Sequence, residues 1–219
     1  MDTLSNKVAV ITGAAGGIGG TLAEELVRRG IKGLALVDFS PRVREVAETC
    51  NQAGRGEIAF AYEGDTSNEE FREYVFADMT EKVGTPNICV PAAGITRDDL
   101  AVKFDKETGE ARIYPIENFR KVVEINMIAP IYWAMQMVAG VATKRKAEGL
   151  KKWSPDEGIQ GAVVFIGSIA SVGNKGQISY SSTKAGLEGA ASTLMAEAMF
   201  YGVRCSIIHP GFTDTPMVR

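Results

Sequence analysis

The sequence is poor in the residues that build metal centres and disulfide frameworks. It has one histidine, His209, and three cysteines, Cys50, Cys89 and Cys205, which lie far apart and form no CxxC pair. A metal site needs several convergent ligands, so we expect none here. Isolated cysteines are typical of buried thiols in a reducing cytoplasm. His209 ends a predicted strand before a proline, and we expect it to be packed in the core or to lie in a turn instead of acting in catalysis.

The chain also lacks an excess of charge and a membrane signal. Its formal net charge is −3, which gives no general attraction to nucleic acid or to anionic membranes. No apolar run approaches the roughly 18 residues of a membrane span, and the N-terminal MDTLSNK has no basic-then-apolar signal pattern. We therefore expect a soluble cytoplasmic protein that binds neither nucleic acid nor membrane.

Short apolar runs alternate along the chain with longer stretches of helical periodicity. Near-continuous apolar strands that alternate with helices predict one parallel, doubly wound α/β sheet covered by helices on both faces. Residues 103–116 interrupt this order with a polar excursion that is typical of a β-turn. The predicted strands are 7–12, 33–38, 57–62, 87–92, 161–167 and 203–209, and the predicted helices are 17–29, 41–53, 68–82, 118–146 and 180–201.

A glycine cluster, ITGAAGGIGG, follows the first predicted strand and opens the first predicted helix. Gly13, Gly17 and Gly19 have the spacing G-x-x-x-G-x-G. Missing side chains let a pyrophosphate approach the backbone, and the helix N-terminus supplies N–H groups and partial positive charge. Glycines alone would also fit a bare turn, but the strand–loop–helix context predicts a dinucleotide-binding, Rossmann-type sheet.

Asp38 ends the second predicted strand, where it favours NAD over NADP. A carboxylate at that position accepts hydrogen bonds from an adenosine ribose and repels a 2′-phosphate. The nearby Arg42 and Arg44 would soften this preference, and a simple capping or turn role for an aspartate before Pro41 is the alternative.

Tyr180 and Lys184 are four positions apart at the start of the last predicted helix, so they share one face. A tyrosine is a poor base near neutral pH, and a neighbouring ammonium group is expected to lower its pKa. Ser168 lies just beyond a buried strand, at the sheet edge that borders the ligand crevice, where its hydroxyl can hold a substrate oxygen against the phenol. The three residues together predict proton exchange with a substrate oxygen.

This constellation resembles the classical short-chain dehydrogenase/reductase family over essentially the whole chain. TGAAGGIG (12–19) matches the family's TGxxxGIG loop and adds Ile18 to the glycines, and GDTS (64–67) matches the segment whose aspartate contacts adenine. INM (125–127) supplies the family's asparagine, and HPGFTDTPM (209–217) matches the segment that lines the nicotinamide. The further cofactor contacts that the resemblance implies are Asp65, Ala93, Gly94, Tyr180, Lys184, Pro210, Gly211, Thr213 and Thr215.

The resemblance also implies roles for four catalytic residues. Tyr180 is the general acid/base, and Lys184 lowers its pKa and binds the nicotinamide ribose. Ser168 orients the substrate oxygen, and Asn126 holds a water that links Lys184 to solvent. The protein is then an oxidoreductase that interconverts a secondary alcohol and a ketone by hydride transfer.

Three features depart from the family pattern. Its NNAG motif is PAAG (91–94) here, so two amides are lost and Pro91 cannot donate a backbone N–H. The spacing from Ser168 to Tyr180 is slightly short. The sequence also stops soon after the PG motif, so we expect residues 1–219 to be a single cofactor-binding and catalytic domain that lacks the usual C-terminal segment.

Two further expectations concern the substrate class and the oligomeric state. AGITRDDL (93–100) resembles 3-oxoacyl-[acyl-carrier-protein] reductases and 3-hydroxyacyl dehydrogenases. The reductases usually prefer NADPH, whereas Asp38 favours NAD. We expect a hydroxy or keto substrate, such as a 3-oxoacyl thioester; a sugar, steroid or polyol dehydrogenase and a catalytically silent NAD-binding scaffold are the alternatives. Small residues and a second apolar face on the last helix predict a homodimer or homotetramer.

Overall fold

The computed structural model describes residues 4–54, 56–211 and 213. Six parallel strands form one sheet in the order β3-β2-β1-β4-β7-β8, and a separate antiparallel hairpin, β5-β6, stands outside it. The predicted doubly wound α/β fold is confirmed. The sheet strands are β1 (Val8–Thr12), β2 (Gly33–Asp38), β3 (Ala59–Glu63), β4 (Ile88–Pro91), β7 (Gly161–Ile166) and β8 (Val203–Ile208); the hairpin strands are β5 (Val102–Phe104) and β6 (Ala111–Ile113).

Helices cover both faces of the sheet because its strands bury side chains on both sides. In β1, Val8 and Val10 join the core on one face, while Ala9 and Ile11 join the core on the other. The first core is shared with α3, α5 and α6, and the second with α1 and α2. The helices are α1 (Gly17–Arg28), α2 (Val43–Gly54), α3 (Glu69–Lys82), α4 (Ile116–Val123), α5 (Ala129–Ala147) and α6 (Ile178–Ala198).

The long helix predicted over 118–146 is interrupted. A π-helical turn, Glu124–Ile128, separates α4 from α5. The cause is Pro130: it has no N–H to give the carbonyl of Asn126, four residues earlier, and its ring crowds that carbonyl. The proline was visible in the sequence, but the apolar periodicity passes through it unbroken.

The stretch Ile116–Ala147 also corrects the expectation that no segment resembles a membrane span. Its most apolar window has a mean hydropathy of 1.3, which is enough for a span by length and composition, although 44% of that window is buried inside the protein. Trp133, Ala134 and Met137 are fully buried against the sheet. These contacts are those of a core helix.

The cysteines are buried, as expected from their isolation. Cys50, Cys89 and Cys205 are all free thiols. Burial raises the pKa of Cys50 and of Cys205 to about 11, so these thiols are protonated at neutral pH. They contribute to packing.

Candidate active site

The candidate site lies where the strand order reverses, between β1 and β4. The chain turns away in opposite directions after these two strands, which opens a crevice at their carboxyl ends. Thr12 connects the two sides: its hydroxyl accepts the N–H of Ala93 at 3.1 Å, and its carbonyl accepts the N–H of Ala92 at 3.2 Å.

These contacts also show how the chain accommodates Pro91. In the pairing of β1 with β4, the N–H of Asn87 donates to the carbonyl of Val8. Every second residue of a parallel strand donates to the same neighbour, so the N–H of residue 91 would donate to the carbonyl of Thr12. Proline has no such donor, and Ala92 bonds Thr12 in its place. The bracing of the crevice therefore survives the change from NNAG to PAAG.

The glycine loop fits a bound pyrophosphate. Gly13 and Gly17 have φ of 68° and 54°, in the left-handed region that glycine tolerates best. A Cβ on Gly13 would lie 2.7 Å from the backbone nitrogen of Ala93, and one on Gly19 would collide with the carbonyl of Gly13. A Cβ on Gly16 would meet nothing within 4 Å, so the loop faces open space just before α1 begins. The backbone N–H groups in the first turn of α1 are suited to bind an anion in that open space.

The other loop residue expected to contact the cofactor, Ile18, is the second residue of α1. Its side chain is partly buried and packs against the core of α1 and α2. It therefore fixes the start of the helix that carries the N–H groups.

Asp38 lies beside the glycine loop, at the end of β2. One of its carboxylate oxygens accepts the N–H of Ala15 at 3.0 Å, and the other accepts the N–H of Ser40 at 2.8 Å. Asp65 follows β3 and is exposed; its carboxylate accepts the N–H and the hydroxyl of Ser67 at 2.9 and 2.7 Å. The two aspartates thus follow neighbouring strands at one end of the crevice.

Ser168, Tyr180 and Lys184 come together at the carboxyl end of β7. Ser168 caps a short 3₁₀ turn, where its hydroxyl accepts the N–H of Ala170 at 3.1 Å. Tyr180 lies in the first turn of α6, and the Lys184 ammonium group is 5.4 Å from the centre of its ring. The same ammonium group donates to the carbonyl of Ile166, the last residue of β7, at 2.7 Å.

Burial shifts the pKa values of Tyr180 and Lys184. It raises the pKa of Tyr180, a hydrogen bond from Ser168 acts in the opposite direction, and the negative charge of Asp98 adds to the increase. Burial also lowers the pKa of Lys184 to about 8. The expectation that the tyrosine pKa lies below its ordinary value is wrong for this structure, because burial of the phenol raises that pKa.

Asn126 lies in the π-helical turn and is fully buried. Its side-chain oxygen accepts the N–H of Ile95, and its side-chain nitrogen donates to the carbonyl of Ile95, both at 2.8 Å. This pair of bonds holds the segment that follows β4, next to Ala93 and Gly94. The proposed water link from Asn126 to Lys184 stays a prediction.

His209, the residue after β8, approaches the same region. His209 is exposed, and its Nδ1 lies 3.1 Å from the carbonyl oxygen of Ser168, so it contacts the catalytic loop and is not packed in a core. Pro210 and Gly211 follow, and the hydroxyl of Thr213 donates to the carbonyl of Gly211 at 3.3 Å. Thr215, the other predicted nicotinamide contact, lies outside the described residues. Within the described ranges no three His, Cys, Asp or Glu side chains are grouped as metal ligands would be.

Comparison with known proteins gives one family. The family model described as short chain dehydrogenase matches residues 7–219. The chain is 28% identical over 217 residues to a 3-oxoacyl-[acyl-carrier-protein] reductase of Vibrio cholerae, covering 99% of this chain and 77% of the relative. It is 29% identical over 218 residues to the Pseudomonas aeruginosa reductase of the same name, with 99% and 78% covered. For the Escherichia coli reductase the identity is 26% over 214 residues, with 97% and 76% covered.

Proposed function

Because the chain belongs to the short chain dehydrogenase family, we propose that it is an oxidoreductase that interconverts a secondary alcohol and a ketone with a nicotinamide dinucleotide. The observation that carries this proposal is the convergence of Ser168, Tyr180 and Lys184 at the carboxyl end of β7, beside the glycine loop. A bound nicotinamide would donate or accept the hydride; the chain's own residues bind the substrate and move the proton.

Tyr180 is the proton donor and acceptor in this mechanism. In ketone reduction its hydroxyl gives a proton to the carbonyl oxygen, and in alcohol oxidation the phenolate takes that proton back. Ser168 holds the substrate oxygen, and its hydrogen bond to Tyr180 stabilises the phenolate. Since Tyr180 has a raised pKa, it is protonated at neutral pH and is ready for reduction without a further step.

Lys184 and Asn126 support this proton transfer. Lys184 keeps its ammonium group buried beside Tyr180, where it is suited to the hydroxyls of a nicotinamide ribose. Asn126 fixes the crevice segment around Ile95 and is the candidate for the water relay. The remaining cofactor contacts are Gly13, Gly17, Gly19, Asp65, Ala93, Gly94, Pro210, Gly211, Thr213 and Thr215.

The cofactor that we propose is NAD. Asp38 has both carboxylate oxygens fixed by backbone N–H groups at the end of β2, so its negative charge remains where a 2′-phosphate would approach. Arg44, which could attract such a phosphate, pairs with Glu63 at 3.0 Å. Arg42 is exposed and is the residue that would favour NADP if this proposal failed.

For the substrate we favour a 3-oxoacyl or 3-hydroxyacyl compound, such as a thioester. Support comes from the reductases to which the chain is similar and from the segment AGITRDDL (93–100), which runs past the catalytic tyrosine. A sugar, steroid or polyol is the alternative substrate on the same scaffold.

We further propose a cytoplasmic homodimer or homotetramer in which residues 1–219 act as one catalytic unit. The exposed apolar side chains of Tyr132 and Met135 on α5 and of Met195 on α6 are suited to an isologous contact between two copies. The three free thiols suit a reducing compartment.

A substrate screen tests the activity. NADH and NADPH oxidation is followed with acetoacetyl thioesters, keto sugars and keto steroids, for the wild type and for Tyr180→Phe. We expect turnover with a 3-oxoacyl thioester, and a loss of about 10²- to 10⁴-fold in Tyr180→Phe with nearly unchanged NADH affinity. NADH binding without turnover of any ketone would favour a silent scaffold, and near-native rates in Tyr180→Phe would exclude the proposed mechanism.

A further inference from the structure

Residues 95–101, which are not among the catalytic residues named above, are attached to the start of α6. After β4 the chain runs through residues 95–101, past the first turn of the helix that carries Tyr180, and enters the β5-β6 hairpin. The N–H of Asp99 donates to the carbonyl of Gly176 at 2.9 Å, and Asp99 and Gln177 form a parallel β-bridge. The backbone of this segment therefore has a fixed position relative to Tyr180.

Tyr114 strengthens this attachment from the far side of the hairpin. Its hydroxyl donates to the carbonyl of Arg97 at 2.6 Å and lies 3.0 Å from the hydroxyl of Ser179. Ser179 is 1% exposed and directly precedes Tyr180. The segment is thus held on both sides of Asp98.

The side chain of Asp98 is held as well as its backbone. Its Oδ2 accepts a hydrogen bond from the side-chain nitrogen of Gln177 at 2.7 Å. The side-chain oxygen of Gln177 in turn accepts from Asn174 at 2.8 Å, which fixes the direction of the amide. Gln177 is the residue just before α6, so the carboxylate of Asp98 lies near the N-terminal end of that helix.

Asp98 therefore brings a fixed negative charge to the catalytic tyrosine. Besides burial, which is the larger effect, this charge raises the pKa of Tyr180. Of the cations nearby, Lys184 donates to the carbonyl of Ile166 and Lys103 pairs with Asp99, so neither forms an ion pair with Asp98. Arg97, the neighbour of Asp98, turns its guanidinium group to the carbonyl of Thr96.

We propose that Asp98 is a positioning residue for the reaction: held by Gln177, it opposes formation of the Tyr180 phenolate and so favours the proton-donating form that reduces a ketone. This inference rests on the proposed function, because it assigns to Asp98 a role in the proton transfer of Tyr180. No covalent step is involved. Asp98 changes the protonation equilibrium of the phenol and does not itself exchange a proton with substrate.

The variant Asp98→Asn isolates the charge. An asparagine oxygen can still accept from Gln177, so the shape of the segment is kept while the charge is removed. Because Asp98 is exposed and screened by water, we expect the apparent pKa of Tyr180 to fall by about half a unit. The pH profiles of kcat/KM for oxidation and for reduction should both move to lower pH. At pH values where the oxidation rate still increases with pH, alcohol oxidation by the variant should be about threefold faster than by the wild type.

Asp105→Asn is the matched control. Asp105 lies on the neighbouring β5-β6 hairpin, where its side chain pairs with Arg112. This variant loses the same charge away from α6 and should keep the wild-type profile. Since the proposed effect is electrostatic, about 0.5 M salt should reduce the difference between Asp98→Asn and the wild type. Gln177→Leu, which releases the carboxylate, should shift the profile in the same direction by a smaller amount.

A titration of the phenol itself separates this inference from the proposed function. The phenolate absorbance of Tyr180 is obtained as the difference between each protein and its Tyr180→Phe counterpart, without turnover. An unchanged Tyr180 titration in Asp98→Asn at low salt would overturn the role of Asp98, even if the enzyme were active. Full activity in Tyr180→Phe would instead refute the proposed function, whatever the titration of Asp98→Asn gave.

Discussion

The ammonium group of Lys184 donates a hydrogen bond to the carbonyl oxygen of Ile166 at 2.7 Å. The lysine is in α6 and the carbonyl is the last of β7, so this bond joins the helix that carries Tyr180 to the strand that leads to Ser168. Lys184 is 5% exposed, and its buried charge is stabilised by this hydrogen bond and by the ring of Tyr180, whose centre lies 5.4 Å from the ammonium group.

The first prediction concerns the stability cost of that buried charge. Burial lowers the pKa of Lys184 from 10.5 to about 8, so between these values the folded state binds fewer protons than the unfolded state. The free energy of unfolding contributed by this residue should therefore rise with pH from about 8 to about 10.5. Lys184→Met should remove this rise. Urea unfolding of both proteins across this pH range measures it, and parallel curves would show that Lys184 is not desolvated.

The second prediction concerns cofactor preference. The wild type should bind NADH at least about tenfold more tightly than NADPH, because Asp38 repels a 2′-phosphate. Asp38→Asn should reduce this ratio, mainly by improving NADPH binding. The measurement is a fluorescence titration of both cofactors. Glu48→Gln, which removes an exposed charge from α2, is the control and should keep the wild-type ratio. Tighter NADPH binding by the wild type would contradict the assignment and direct attention to Arg42.

The third prediction concerns the buried amide of Asn126. Asn126→Ala leaves the N–H and the carbonyl of Ile95 without their side-chain partner and should lower the free energy of unfolding by about 2–4 kcal/mol. Because Ile95 belongs to the crevice, turnover should also fall, on the order of 10- to 100-fold. Chemical denaturation and steady-state kinetics measure the two effects.

The matched control for Asn126 is Asn51, which makes the same kind of contact far from the crevice. Its amide accepts the N–H groups of Ile58 and Ala59 and donates to the carbonyl of Ala59, at 2.8–2.9 Å. Asn51→Ala should destabilise the protein without changing turnover at a temperature where it is folded. Equal losses of turnover in both variants would mean that Asn126 acts through stability alone.

The fourth prediction concerns assembly. Ala190 is one of the small residues of α6 that predict an association of copies through this helix, and it is partly exposed, so Ala190→Glu would introduce a charge there. We expect a wild-type dimer or tetramer at micromolar concentration and a smaller species in the variant, measured by light scattering. Gln52→Glu adds the same charge to an exposed position of α2 and should leave the mass unchanged. A monomeric wild type would end this hypothesis, and an unaffected oligomer in Ala190→Glu would move the interface elsewhere.

The sequence by itself determined the sheet and the position of the catalytic group along it. Strand patterns are local: the predicted strand 33–38 coincides with β2, and the other sheet strands differ from their predictions by one or two residues at their ends. The pairing of Tyr180 with Lys184 follows from helical spacing alone. The glycine loop could be identified because glycine is required where the backbone adopts a positive φ, as at Gly13 and Gly17.

Tertiary structure decided what these residues touch. The partner of Asn126 is Ile95, and the bonds of Asp98 and Tyr114 to the start of α6 join residues distant in the chain, so no local pattern contains them. The direction of the Tyr180 pKa is another such case: the sequence shows the neighbouring ammonium group but not the burial that raises the pKa of the phenol. Desolvation depends on every atom packed around a group, and those atoms are brought there only by the fold.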